Sequence, residues 1–224
     1  MGKSCSCSNC GDLSNKKLVV LGEGIEEARF FPVLVQAKGL SIDEAAIAYC
    51  DYGGKTKLKE WLRAFFKSSN FQSIESDQFY LLITRDADND PDRAKESIVR
   101  ALDELPPDVS TCHDFGAFPS DQECKVKIAI QLLPDNHRSG YLETLCREAV
   151  AHTTLAKCTE EYSQCESANR EGSSDFDDKA WVYAYLALAS KRRLGELSPE
   201  ELRSWGWDLD VFERLLSLIR EPFH

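Results

Sequence analysis

The chain has 224 residues, 42% of them hydrophobic, with 38 acidic against 27 basic side chains and a net charge of −11. That length and apolar share allow a substantial core, as one domain or as one domain plus an appendage. The acidic balance disfavours broad, non-specific duplex binding, which needs a basic footprint, and no apolar run approaches the roughly 18 residues of a membrane span.

Residues 1–15, "MGKSCSCSNCGDLSN", read as a flexible, cysteine-containing tail. They lack the apolar core of a secretory signal, so the chain reads as cytoplasmic. Cys5, Cys7 and Cys10 stand close enough to share an ion. Three thiols with no nearby histidine or second pair nevertheless fall short of a tetrahedral zinc set. Nine cysteines, an odd count without an export signal, argue for reduced thiols. Cys158 and Cys165 share a helical face and read as core or inert thiols.

"KKLVVLGEG" (16–24) is a short apolar run ending in glycine, the pattern of a buried strand and its exit turn. "IEEARFFPVLVQAKGL" follows with helical spacing through Pro32 and stops at Gly39. "AAIAYCDYGG" is a second strand. "KTKLKEWLRAFFKSS" is an amphipathic helix with Leu58, Trp61, Leu62, Phe65 and Phe66 on one side, and its lysines and arginine read as a solvated face. "QFYLLITRDAD" is a third strand, "DPDRAKESIVRALDEL" a helix started by Asp90 before Pro91, and "KVKIAIQLLPDN" a fourth strand. From about residue 141 only helical patterns remain.

Strand and helix alternate with short connections, and the strands are apolar runs rather than alternating patterns. That predicts an α/β, Rossmann-like, mainly parallel four-stranded sheet over residues 16–145, with a C-terminal helical extension over 146–224.

Such sheets bind ligands beyond the carboxyl ends of their strands. Glu23 leaves the first strand, Asp51 the second, Asp86 and Asp88 the third, and Glu27 lies one helical turn past Glu23. Asp86 and Asp88 are two apart, so an extended backbone puts both carboxylates on one side, where only a cation or water relieves their repulsion. Carboxylate oxygens suit Mg²⁺ or Mn²⁺, and a pair of such ions can activate a water against a phosphodiester. The bland readings stand beside these: Glu27 as a first-turn glutamate favoured by the helix dipole, Asp51 as the fixer of the Gly53–Gly54 turn, and Asp86 and Asp88 as a solvated turn. Trp181, Tyr183 and Tyr185 read as core rather than as a base-stacking platform.

"GEG" at 22–24 and "DAD" at 86–88, each after a strand and in this order, resemble the Toprim domain, and Glu23 with Glu27 is similar to the two-metal site of the OLD-family nucleases. The resemblance covers roughly residues 16–145. It implies Glu23, Glu27, Asp86, Asp88 and Glu143 as metal ligands, with Glu23 and Lys179 in the chemistry. Glu143 also reads as a helix-start residue and Lys179 as a surface lysine. The implied activity is a Mg²⁺- or Mn²⁺-dependent phosphodiesterase acting on DNA or RNA, in nucleic-acid processing or phage defence. OLD-type proteins carry an ATPase domain, and no G-x-x-x-x-G-K-[ST] occurs here. The alternative is therefore a non-catalytic Toprim-fold binding or regulatory module that works with a partner protein. A homodimer is compatible with either reading.

Overall fold

The computed structural model describes residues 10–74, 78–106, 109–120, 123–169, 177–205 and 210–224. These form an all-parallel sheet in the order β2-β1-β3-β5-β4. Its strands are β1 (Leu18–Gly22), β2 (Ile47–Asp51), β3 (Phe79–Asp86), β4 (Thr111–Phe115) and β5 (Val126–Leu133). The parallel α/β expectation holds, but the four-strand count is corrected to five. The missed strand, β4, is "TCHDF" at the sheet edge; it pairs only with β5, and every residue of it is half-buried or exposed. An edge strand has one neighbour to satisfy and little surface to bury, so it needs no apolar run.

The helices are α1 (Ile25–Lys38), α2 (Leu58–Lys67), α3 (Ser69–Gln72), α4 (Pro91–Asp103), α5 (Leu142–Val150), α6 (Thr154–Asn169), α7 (Asp178–Ala189), α8 (Pro199–Arg203) and α9 (Asp210–Arg220). α1 continues through Pro32 and stops at Gly39, whose φ of 62° supplies the left-handed cap. α4 starts as its sequence predicts: Asp90 Oδ1 accepts the Arg93 N–H at 3.0 Å, and Pro91 occupies the first helical turn.

Strand alternation splits the core in two. Leu18, Val20 and Leu82 face α1, α5, α7 and α9 in one apolar cluster, where Phe30, Phe31, Leu145, Trp181 and Phe212 are also buried. Val19, Leu21, Leu81 and Ile83 face α2 and α4 in the other, with Trp61, Phe65 and Ile98. Burying each such large side chain contributes roughly 1.5–3 kcal/mol. The helices beyond residue 146 thus share one continuous core with α1 and the sheet. Trp181 and Tyr185 stack at 5.7 Å inside it, as expected, whereas Tyr183 is exposed.

Cys10 and Leu13 are buried, and Cys10 is disulfide-bonded to Cys50 at the end of β2, with Cα atoms 5.2 Å apart. Residues 10–15 are thus not a free tail, and the expectation of reduced thiols fails for this pair. Cys5 and Cys7 lie outside the described residues. Cys158 and Cys165 are exposed rather than core, because α6 turns Ala156, Thr159 and Ser163 inward instead. Both buried hydroxyls donate within the helix, to the Leu155 and Glu160 carbonyls, which lets polar residues take that face.

The chain runs from β1 to β2 on one side and then returns to β3 on the other side of β1. The switch point of the sheet therefore lies between the ends of β1 and β3, where such folds open a crevice.

Candidate functional site

β1 ends at Gly22, and α1 begins two residues after Glu23. The turn between them is tight. A Cβ on Gly22 would lie 2.7 Å from the Glu27 Cβ, so only glycine lets the first turn of α1 fold back on the strand. The Gly24 N–H donates to Glu27 Oε2 at 2.9 Å, which makes Glu27 a capping residue of its own helix. The Gly54 N–H donates to the Glu23 carbonyl at 2.8 Å and ties the β2 exit to the same corner.

Asp86 is the last residue of β3 and is 9% exposed. Its Oδ1 accepts the Leu142 N–H at 2.9 Å, satisfying one of the amides that α5 leaves unpaired at its start. Burial, and then the charges of Glu27, Glu143 and Glu23, push the Asp86 carboxyl up to about 8, against the opposing pull of that N–H. Burial also raises Glu27, which is 8% exposed, with Glu143 and Glu23 adding to the shift beyond what its backbone hydrogen bonds offset. Glu23 is raised by burial as well, with Arg85 opposing and Asp88 adding.

Glu143 sits in the first turn of α5, 5% exposed, with Lys179 Nζ 3.6 Å from its Oε1. That lysine is positioned by its neighbours. Asp177 caps α7, and the next residue, Asp178, accepts from Thr144 Oγ1 at 2.6 Å and Arg147 Nη1 at 2.7 Å. Arg147 reaches on to Glu160 of α6, which also accepts from Trp181 Nε1. α5 thus clamps the start of α7 and turns Lys179 toward Glu143. Partial burial pulls the Lys179 ammonium down, but Glu143, Tyr183, Asp86 and Glu27 outweigh it and the net shift is upward.

Glu27, Asp86, Glu143 and Lys179 therefore gather on one side of β3, with Glu23 at its border. Asp88 does not join them. Its φ of 52° turns the chain out of the extended form. Its backbone exchanges two hydrogen bonds with Gly140, at 3.0 and 2.7 Å, and its Oδ2 meets Lys55 Nζ at 3.1 Å. The same-side rule for residues two apart fails because the strand has already ended at Asp86. Asp51 is buried, and no hydrogen bond joins its carboxylate to the Gly53–Gly54 turn among the described residues.

The donor chemistry of this corner suits a hard divalent cation, since it is all carboxylate and Glu23 Oε2 is buried without a hydrogen-bond donor. The carboxylates are neighbours, but among the described residues no group of three or more His, Cys, Asp or Glu is placed to hold one ion.

Two residues absent from the sequence-based site belong to this corner. Arg85, 6% exposed, places its Nε 3.9 Å from Glu23 Oε2 and donates from Nη1 to Ser97 Oγ. A basic residue inside the buried strand run "FYLLITRD" was its signal. Tyr52, 1% exposed, donates to the Thr84 carbonyl at 3.5 Å beneath the same carboxylates, and burial, then Glu23, raise its hydroxyl.

Among the described residues no helix is long and apolar enough to cross a membrane. No curated protein and no solved structure matches the chain. One family model does match, over residues 15–221, and the chain belongs to that family, described as "Protein of unknown function (DUF3226)".

Proposed function

We propose that the protein is a divalent-cation-dependent phosphodiesterase of Toprim type acting on DNA or RNA. The observation that carries this reading is the convergence at the switch point of the buried carboxylates Glu27, Asp86 and Glu143, with Glu23 beside them and Lys179 Nζ 3.6 Å from Glu143 Oε1. A fold keeps mutually repelling buried carboxylates at a strand end at a cost in stability, and catalytic or cation-binding sites are where that cost recurs.

Mg²⁺ or Mn²⁺ held by Glu23, Glu27, Asp86 and Glu143 would supply Lewis-acid activation of a water and of the phosphate oxygens. The chain's own residues contribute the rest. Asp86 Oδ1 is committed to the Leu142 N–H, so its Oδ2 is the atom that carries a proton near neutral pH or faces a cation. Lys179, aimed by the α5 clamp, offers an ammonium to the charge that develops on the phosphoryl group. Asp88 lies outside this group, with its Oδ2 on Lys55 Nζ.

A second reading has its own support: the net charge of −11 disfavours broad contact with nucleic acid, as suits a binding or regulatory module that works with a partner protein. One experiment separates the two. Purified protein should cleave single- or double-stranded DNA or RNA with Mn²⁺ and stop with EDTA. Asp86→Asn should abolish cleavage, and Lys179→Ala should lower kcat by about 10²-fold with the Mn²⁺-induced rise in melting temperature intact. A parent protein whose melting point ignores millimolar Mn²⁺ and which cuts no substrate would leave the module reading.

A further inference from the structure

The opposite side of β3 carries a second charged feature. Between the start of α2 and one face of α4 runs a groove of about 800 Å³. Small-ligand pockets span roughly 300–1,000 Å³, so a nucleotide-sized group fits and a duplex does not. The lining has five cationic side chains, Lys55, Lys59, Arg85, Arg93 and Arg100, against three anionic ones, in a chain whose net charge is −11. Its sign is opposite to that of the chain.

The three carboxylates are already engaged. Asp88 pairs with Lys55, Glu104 with Lys59 and Arg63, and Asp90 caps α4. Two guanidiniums keep donors unspent. Arg85, 6% exposed at the groove floor, spends Nη1 on Ser97, while its Nε makes no hydrogen bond and lies 3.9 Å from Glu23 Oε2. Arg93, exposed on the rim, makes no ion pair or side-chain hydrogen bond among the described residues. Arg93, Ser97 and Arg100 follow one another at helical spacing along the α4 face, above Arg85.

A buried arginine with an unmet donor is costly, and phosphate is the anion whose geometry matches a guanidinium fork. We infer that this groove binds a phosphate monoester, with Arg85 as the anchor at its floor and Arg93 closing on the same group from the rim. The groove meets the carboxylates across β3 at the Arg85–Glu23 pair, and its occupancy needs neither a divalent cation nor turnover.

Calorimetric titration in EDTA at low salt tests it with three probes: a 5′-phosphorylated thymidine dinucleotide, the same dinucleotide without the 5′ phosphate, and inorganic phosphate. The phosphorylated dinucleotide should bind at least about tenfold tighter than its unphosphorylated counterpart, and Arg93→Ala should remove about that factor. Arg93 is exposed, so this variant keeps the fold; Arg85→Lys, if its melting temperature is retained, should lose binding further. Inorganic phosphate binding as tightly as the dinucleotide would support the site and assign phosphate alone as its ligand. Equal affinity with and without the 5′ phosphate, or Arg93→Ala binding like the parent, would overturn it. Because no cleavage is measured, loss of the phosphodiesterase reading leaves this result standing.

Discussion

On the side of β3 that faces α1 and α5, Asp86 ends among Glu27 and Glu143. On the side that faces α2 and α4, Arg85, one residue earlier, ends among Lys55, Lys59, Arg93 and Arg100. The same strand therefore delivers opposite charges to its two faces, and the pleat alone separates them. Each face is out of balance in its own way. The acidic side gathers Glu23, Glu27, Asp86 and Glu143 near Lys179, and on the basic side Arg93 makes no ion pair or side-chain hydrogen bond among the described residues. Glu23 and Arg85, 3.9 Å apart, are where the two sides touch. Two sites with complementary deficits, back to back, are suited to holding different parts of one anionic ligand or of ligand and cation.

The largest expected effect probes the acidic side. In EDTA, folded protein keeps a proton on Asp86 that the unfolded chain has released, between its ordinary 3.8 and about 8. More protons bound in the folded state means that stability falls as pH rises through that window. The parent should lose on the order of 3 kcal/mol between pH 5 and pH 8 by urea unfolding, once relaxation of the buried carboxylates is allowed for. Asp86→Asn keeps an acceptor for the Leu142 N–H and has no proton to lose. It should flatten the profile and be more stable than the parent at pH 8. A profile as steep in Asp86→Asn as in the parent would place the strain elsewhere.

Next in size is the turn that brings Glu27 to Asp86. Gly22→Ala forces a Cβ against the Glu27 Cβ at 2.7 Å, where neither backbone can yield cheaply. Overpacking of this kind costs about 1–3 kcal/mol. The loss should appear in urea unfolding at all pH values, with Glu27 displaced from Asp86 and the pH slope reduced as well. An alanine variant as stable as the parent would show that the turn yields to the added methyl group without strain.

The smallest effect belongs to the basic side. Lys55 and Asp88 form a partly exposed pair, with side-chain exposures of 56% and 35%. Lys55→Ala should cost no more than about 0.5 kcal/mol of stability. A loss of more than about 1 kcal/mol, the ceiling for exposed pairs, would mean that Lys55 also organises the β3 exit.

Much of this was legible in the residues. The runs "LVVLG", "IAYCD", "FYLLITRD" and "VKIAIQLL" are apolar because they are buried on both faces, and each is a strand. "TCHDF" was not legible, because an edge strand is held by its neighbour's hydrogen bonds more than by burial. Glu143 and Lys179 meet, and their contact depends on Arg147 and Thr144 gripping α7, which no spacing rule encodes. Asp88 was misplaced for a related reason. Its direction is set by a backbone bridge to Gly140, distant in the chain, rather than by the strand it follows.

The position of β5 has a consequence for how the chain is made. Among the described residues β5 is the last strand in chain order, yet it lies between β3 and β4. Until residue 133 is available, β3 has one bare edge and β4 has no partner at all. The Leu142 amide that Asp86 waits for comes later still. During translation the growing chain therefore exposes unpaired, strongly apolar strand edges to any neighbour, the circumstance in which nascent proteins aggregate or recruit a chaperone. A ribosome stalled before Val126 would display an unfinished sheet, and the acidic corner would assemble only as one of the final steps of folding.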